Sequence, residues 1–391
     1  MITTKQVQVP SLIAKLEKFK EKLNDAPANI NDIARSHHLD SLFMHSLNGE
    51  LNLESLAIVL KNINSEKLIA KAINLNKELY KKKIEFYGVS YIADLCVNDC
   101  TYCGHSSRSV HEREMLDSIN IRRDFSEILK YKPSEICILA GEHKFISPEY
   151  LANAANIALD IDGGKSLERI SFNVAPMQEF DFKKLIDGVK KSEQTILQFR
   201  VFQESYDEKI YAINHTRGPK RDFEFRLNSQ QRALNAGFNQ VGIGTLLGLN
   251  NEITNELVGS DFEIGALIVH AYHLFETTGS FPATLSIPRL QAVVGSNFEV
   301  PSPVDDERYI EYHSILRMAL PQTKLIITGR ETPVMLDKLR PLINIEDLST
   351  KPGVGGNYRD AVHFQNMLGT TCSSEQRIRT VLNQGYFVDG Y

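Results

Sequence analysis

From Ile84 onward the chain alternates short β-prone runs with amphipathic helical stretches, and nothing else in it constrains the fold as tightly. The runs are Ile84–Ile92, Glu135–Ala140, Arg169–Val174, Ile196–Phe202, Gln240–Leu246, Ala283–Ile287, Leu325–Thr328 and a weaker eighth near Ile345–Leu348. Eight parallel strands close a β/α barrel, so the expected class is α/β with a (β/α)8 TIM-type barrel. Segments such as Pro148–Leu159, Phe182–Lys190, Ser229–Ala236, Asp261–Glu276 and Asp305–Met318 have the spacing of crossover helices. Residues 1–80 read as a helical N-terminal extension, with Leu12, Leu16, Phe19 and Leu23 at helical spacing and further periodic segments at Leu51–Leu60 and Leu68–Leu79. Residues 81–350 form the expected barrel, and 351–391 a C-terminal segment packing on it or closing it. Polar residues just after each strand converge at one face of such a barrel, which makes them the site candidates.

Three of the five cysteines in 391 residues fall within eight positions, in the loop after the first run: Asp94-Leu-Cys-Val-Asn-Asp-Cys-Thr-Tyr-Cys-Gly-His105. That clustering differs from the spread, even framework of a disulfide-rich secreted chain and reads as a metal site. Thiolates Cys96, Cys100 and Cys103 at CxxxCxxC spacing can each take one iron of a cubane cluster, leaving the fourth iron open. The alternative is zinc with His105 as fourth ligand, although zinc sites more often come as two separated pairs. Cys137 lies in an apolar strand and reads as core; Cys372 stands alone.

At this loop the sequence resembles the radical S-adenosylmethionine (SAM) superfamily, and most closely its aromatic amino acid lyase branch, which includes tyrosine and tryptophan lyases. The strips that carry the resemblance are Cys96–Ser106, Leu139-Ala-Gly-Glu-His143, Val201-Phe-Gln-Glu-Ser-Tyr-Asp207, Gly218-Pro-Lys-Arg-Asp-Phe223, Gly242–Leu249, Ser286-Ile-Pro-Arg-Leu290, Ile327-Thr-Gly-Arg-Glu-Thr-Pro333 and Ser349–Gly356. The resemblance implies one 4Fe–4S cluster on Cys96, Cys100 and Cys103, with SAM on its open iron. It further implies SAM contacts from Gly141, Glu142, Glu204 and Arg226, and an amino acid site with Arg330 and Ser349; by position, Tyr102 and Gln203 join the SAM candidates and Arg289, ending the sixth run, joins the amino acid site. Arg330 would clamp the substrate carboxylate through two parallel hydrogen bonds, a geometry lysine cannot copy. On the residues alone, Glu204 with Arg226 could equally be a surface ion pair, and either barrel-end arginine a structural charge.

The implied activity is a lyase in which the 5′-deoxyadenosyl radical from SAM breaks a carbon–carbon bond at the α-carbon of an amino acid. Tyrosine is the expected substrate, giving 2-iminoacetate (dehydroglycine) and p-cresol, as in thiamine biosynthesis. Two departures leave tryptophan or another amino acid of a natural-product pathway as the alternative: His105 stands where phenylalanine is usual, and Gln291 where arginine is. From another class, the chain could be an iron–sulfur scaffold or electron carrier without catalysis. Expected partners are flavodoxin or ferredoxin as electron donor and a product-accepting synthase. A net charge of −5 offers no field for nucleic acid, the polar Met1–Pro10 lacks a signal-peptide core, and no stretch approaches a membrane span. The cytoplasm is the expected compartment.

Overall fold

In the computed structural model, residues 11–62, 65–163, 166–190, 195–249, 259–291, 299–361 and 372–391 are described. Eight strands make the barrel: β1 (Lys83–Ala93), β2 (Glu135–Ala140), β3 (Arg169–Asn173), β4 (Ile196–Arg200), β5 (Gln240–Gly244), β6 (Thr284–Ser286), β7 (Lys324–Ile327) and β8 (Ile345–Asp347). Each pairs in parallel with its neighbour in chain order, and β8 returns to β1 through Glu85↔Ile345, Phe86↔Glu346 and Tyr87↔Asp347. The fold is therefore the closed α/β barrel that the eight runs imply. Two short crossovers add to those anticipated, Ser118–Leu129 after β1 and Pro333–Leu339 after β7.

Strand side chains alternate between the helix layer and the barrel interior. Tyr87, Val89, Tyr91, Cys137, Ile326 and Ile345 pack together inside. Lower down the interior is charged: Glu135 accepts hydrogen bonds from Arg200 (2.5 Å), Ser171 (2.5 Å) and Arg169 (3.3 Å), and Glu85 from Arg169 (3.1 Å) and Lys324. Burial alone would raise the Glu135 carboxyl, but the Arg200 and Arg169 charges outweigh it and hold it below its usual range.

Four helices precede the barrel, α1 (Leu12–Asp25), α2 (Asp32–Leu47), α3 (Leu53–Lys61) and α4 (Ser65–Tyr80). Ser11, Asn31 and Asn52 cap the first three, each side chain accepting the amide three residues on. Leu12, Leu16, Phe19 and Leu23 join the same hydrophobic core as the barrel helices. This explains helix Ser260–Thr278, which is buried almost all round between Phe262 and Leu274: the face a simple barrel would turn to water lies under α1. The Phe19 ring stacks on Phe262 at 6.0 Å, and a Cβ at Gly265 would overlap it. At the other end of the chain, Phe387–Val388 adds beside the start of β1, and helix Ser374–Asn383 buries Ile378 and Val381. Among the described residues no helix is long and apolar enough to cross a membrane.

Glu263, in the first turn of helix Ser260–Thr278, ties that helix to the strand exits. It accepts from Ser205 Oγ (2.5 Å), the Tyr206 amide (2.8 Å) and Thr245 Oγ1 (3.1 Å). Burial pushes its carboxyl up to about 7 in spite of those donors.

Two measurements test this packing. Phe19→Ala removes a fully buried ring and should lower the unfolding free energy by about 3–5 kcal/mol, read as a lower urea midpoint. For Glu263 the folded chain binds a proton more tightly than the unfolded one. Its contribution is thus complete below the ordinary carboxylate range and is lost as pH rises towards 7. Between pH 5 and 8 the wild type should lose on the order of 1 kcal/mol or more that Glu263→Gln does not lose. Parallel pH profiles would contradict the assignment.

Candidate active site

The candidate site lies where the strands end. β1 runs out at Ala93, and the chain then makes a long excursion that closes on itself. The Asp94 amide donates to the Glu114 carbonyl at 3.1 Å, the Glu114 amide returns to Asp94 Oδ1 at 2.7 Å, and the Leu116 amide reaches the Ile92 carbonyl at 2.9 Å. Within that excursion Asp99–Cys100 pairs antiparallel with His215–Arg217. Asn98 pins the loop from inside, donating to Glu142 Oε2 at 2.6 Å and accepting the Lys220 amide at 2.9 Å.

Cys96, Cys100 and Cys103 line the mouth of a cavity of about 220 Å³ that descends into the barrel past Tyr91, Val89 and Leu139 to Tyr87, Cys137 and Arg200. The donor set suits an iron–sulfur cluster. Burial raises the Cys100 thiol to about 12 and raises Cys103 too, while the Lys220 ammonium opposes both shifts and so favours thiolate. The His105 amide also donates towards the Cys103 sulfur. Gly141 leaves room beside them, since a Cβ there would strike the Leu95 carbonyl oxygen and stand 3.0 Å from Cys96 Cβ. Among the described residues no three His, Cys, Asp or Glu side chains are placed to hold a metal ion.

Beside the cysteines the charges are segregated. Glu204, held in the left-handed region at φ 72°, accepts from Lys220 Nζ at 2.7 Å and Arg226 at 3.3 Å. Burial would raise its carboxyl, but Lys220 and Arg226 hold it below the usual range. Two cations on one carboxylate leave a net positive edge. Glu142, with Asn98 as its neutral partner, supplies a negative edge. Tyr102 packs beside the positive edge, its hydroxyl 2.8 Å from His215 Nε2 and its ring under Lys220 at 5.6 Å. Burial, reinforced by the Lys220 charge, drops His215 to about 3, so it is a neutral imidazole. Lys220, Asn98 and His215 were not singled out from sequence. Lys220 and Asn98 lie within matched strips, but only the fold turns them towards the cysteines.

The structure brings most of the candidates together: Cys96, Cys100, Cys103, Tyr102, Gly141, Glu142, Glu204, Arg226 and Arg330 all line the one cavity. Three candidates are not among its lining residues. Gln203 is buried with neither amide atom hydrogen-bonded. Arg289 is held by Glu331 and Asp306 and covers the Tyr309 ring at 4.6 Å, a strut rather than a free guanidinium. Ser349, at φ 60°, accepts from Arg377 Nε at 3.2 Å, which fastens the C-terminal helix to the end of β8. Thr328 and Asn173, by contrast, line the cavity without having been expected to.

No family model matches the chain. It is 28% identical over 296 residues to the 2-iminoacetate synthases of Salmonella typhimurium and Escherichia coli, covering 74% of this chain and 72% of each relative. The structure of HydG, a maturase of the FeFe-hydrogenase, superposes with a TM-score of 0.82 at 25% identity, covering 97% of this chain and 80% of that one. With the cysteine loop at the mouth of a closed parallel barrel, these likenesses make the chain similar to the tyrosine lyase branch of the radical SAM superfamily.

Proposed function

We propose that this chain is a radical SAM lyase that cleaves an aromatic amino acid, tyrosine first among them, at a carbon–carbon bond of the α-carbon to give 2-iminoacetate and p-cresol. The observation that carries the reading is one continuous cavity with three clustered cysteines at its mouth and Arg330 on its wall. Cys96, Cys100 and Cys103 would hold a 4Fe–4S cluster which, reduced by a flavodoxin or ferredoxin, supplies with SAM the 5′-deoxyadenosyl radical that takes hydrogen from the substrate.

The chain's own residues then bind, orient and exclude water. The net positive edge of Lys220, Arg226 and Glu204 suits the methionyl carboxylate of SAM, and Glu142 with the backbone about Gly141 suits its ammonium, so the zwitterion has one orientation. Arg330 presents a planar fork for the substrate carboxylate. The Tyr87, Tyr91, Val89, Leu139 and Ile326 side chains offer an apolar wall for an aromatic ring. Placement matters because a displacement of about 1 Å at the reacting hydrogen costs on the order of a hundredfold. A synthase that consumes the short-lived imine is the expected downstream partner.

Anaerobic reconstitution should give one cluster per chain, and Cys96→Ala, Cys100→Ala or Cys103→Ala should each abolish 5′-deoxyadenosine formation while Cys372→Ala does not. With the wild type, tyrosine should yield p-cresol; if neither tyrosine nor tryptophan is cleaved, the lyase reading falls. Arg330→Lys should keep the cluster and SAM binding but lose the substrate ten- to a hundredfold, roughly the 1.5–3 kcal/mol of a charge-assisted contact. Lys220→Met should instead weaken SAM binding, by about tenfold, with the amino acid contact intact.

A further inference from the structure

We propose that Arg113 is the latch that sets the shape of the cysteine loop, and through it the fit of the cluster and SAM; this rests on the reading that the loop holds an iron–sulfur cluster. The Arg113 guanidinium reaches four backbone carbonyls of that loop. Nη1 donates to Asp94 O at 2.8 Å and His105 O at 3.0 Å, and Nη2 to Ser106 O at 2.6 Å and Ser109 O at 3.3 Å. Asp94 begins the excursion and the other three follow its last cysteine, so one side chain ties the entry of the cysteine strip to its exit.

The surroundings are built for this. Asp94 Oδ1 takes the Glu114 amide, Oδ2 lies 3.0 Å from His111 Nε2, and the Asp94 side chain is almost fully buried. Each polar end of Asp94 is therefore occupied by the segment that carries Arg113. Turning the His105 and Ser106 carbonyls towards the guanidinium also fixes the backbone next to Cys103, whose sulfur receives the His105 amide. Arginine suits this position because its planar fork spans several acceptors at once, whereas an ammonium is a point donor on a flexible stem. Unlatched, four carbonyls of a loop with a two-residue strand as its regular structure would have to find water or other donors. The sulfurs would then no longer be held at one separation. Arg113 is thus a positioning residue; it is not among the residues lining the cavity.

The experiment compares wild type, Arg113→Lys and Arg113→Gln, with Arg122→Gln as a control on the helix that follows the loop, where the half-exposed side chain pairs with Asp160. Each is reconstituted anaerobically; iron per chain, the rate of cluster loss to a chelator, the electron paramagnetic resonance spectrum of the reduced cluster with and without SAM, and the apoprotein unfolding midpoint are measured. Both Arg113 variants should lose the cluster at least tenfold faster than wild type, with a weakened spectral change on adding SAM, while Arg122→Gln matches wild type. Arg113→Gln should also show a more negative midpoint potential than Arg113→Lys, because a nearby cation favours the reduced cluster. Should Arg113→Gln fail to fold, Arg113→Lys, which keeps the charge, carries the comparison. Variants that match wild type in chelator kinetics and spectra overturn the latch, as do losses that merely follow a lowered apoprotein midpoint. A wild type that takes up no iron–sulfur cluster overturns the parent reading instead.

Discussion

Closure of the sheet by β8 against β1 is the interaction on which everything else depends. Before that pairing forms, the eight strand ends lie along an open edge and their side chains face no common space. After it, the exits of β1, β2, β4 and β7 surround one cavity, and residues as far apart in sequence as Cys96 and Arg330 line it together. Parallel pairing needs each strand to return through a crossover, so all the exits point the same way and the site has one mouth.

The cost of such a barrel is its interior, which must be filled yet leave a cavity above. Here the lower part is filled by ion pairs, Glu135 and Glu85 against Arg169, Arg200 and Lys324. Buried pairs of this kind contribute little net stability but resist rearrangement, since breaking one leaves an uncompensated charge. They form a stiff floor under the apolar walls of Tyr87 and Cys137. Outside, the N-terminal helices cover the Ser260–Thr278 helix, and that helix in turn holds the Glu204 turn through Glu263. Rigidity thus runs from the lead-in helices to the charged edge of the cavity.

How much of this was legible varied with the range of the interaction. All eight strands were readable because their apolar runs are short and bounded, and their observed limits fall within two residues of those expected, the larger differences lying at the exits of β4 and β5, where backbone leaves the ladder to form the site. The cysteine strip was legible because its ligand spacing is local. Gln203, Arg289 and Ser349 read like site residues because they follow strands, yet Arg289 is drawn off by Glu331 and Asp306, and Ser349 by Arg377 from a helix some thirty residues on. Position after a strand puts a residue at the right end of the barrel without saying which way its side chain turns.

By itself, then, the sequence determined the barrel and the cysteine loop, because periodicity and spacing are properties of neighbours along the chain; the family entered as a resemblance of motif strips. Tertiary structure alone decided which charges face the cavity. Lys220 and Arg226 converge on Glu204 where the His215–Arg217 strand pairs with Asp99–Cys100, Asn98 holding the Lys220 amide and the Phe202 carbonyl the Arg226 side chain. Arg113 reaches four carbonyls only because Asp94 and Glu114 close the neck of the loop. Those contacts join residues distant in sequence through side-chain direction, and direction is set by packing, which no local pattern of residues records.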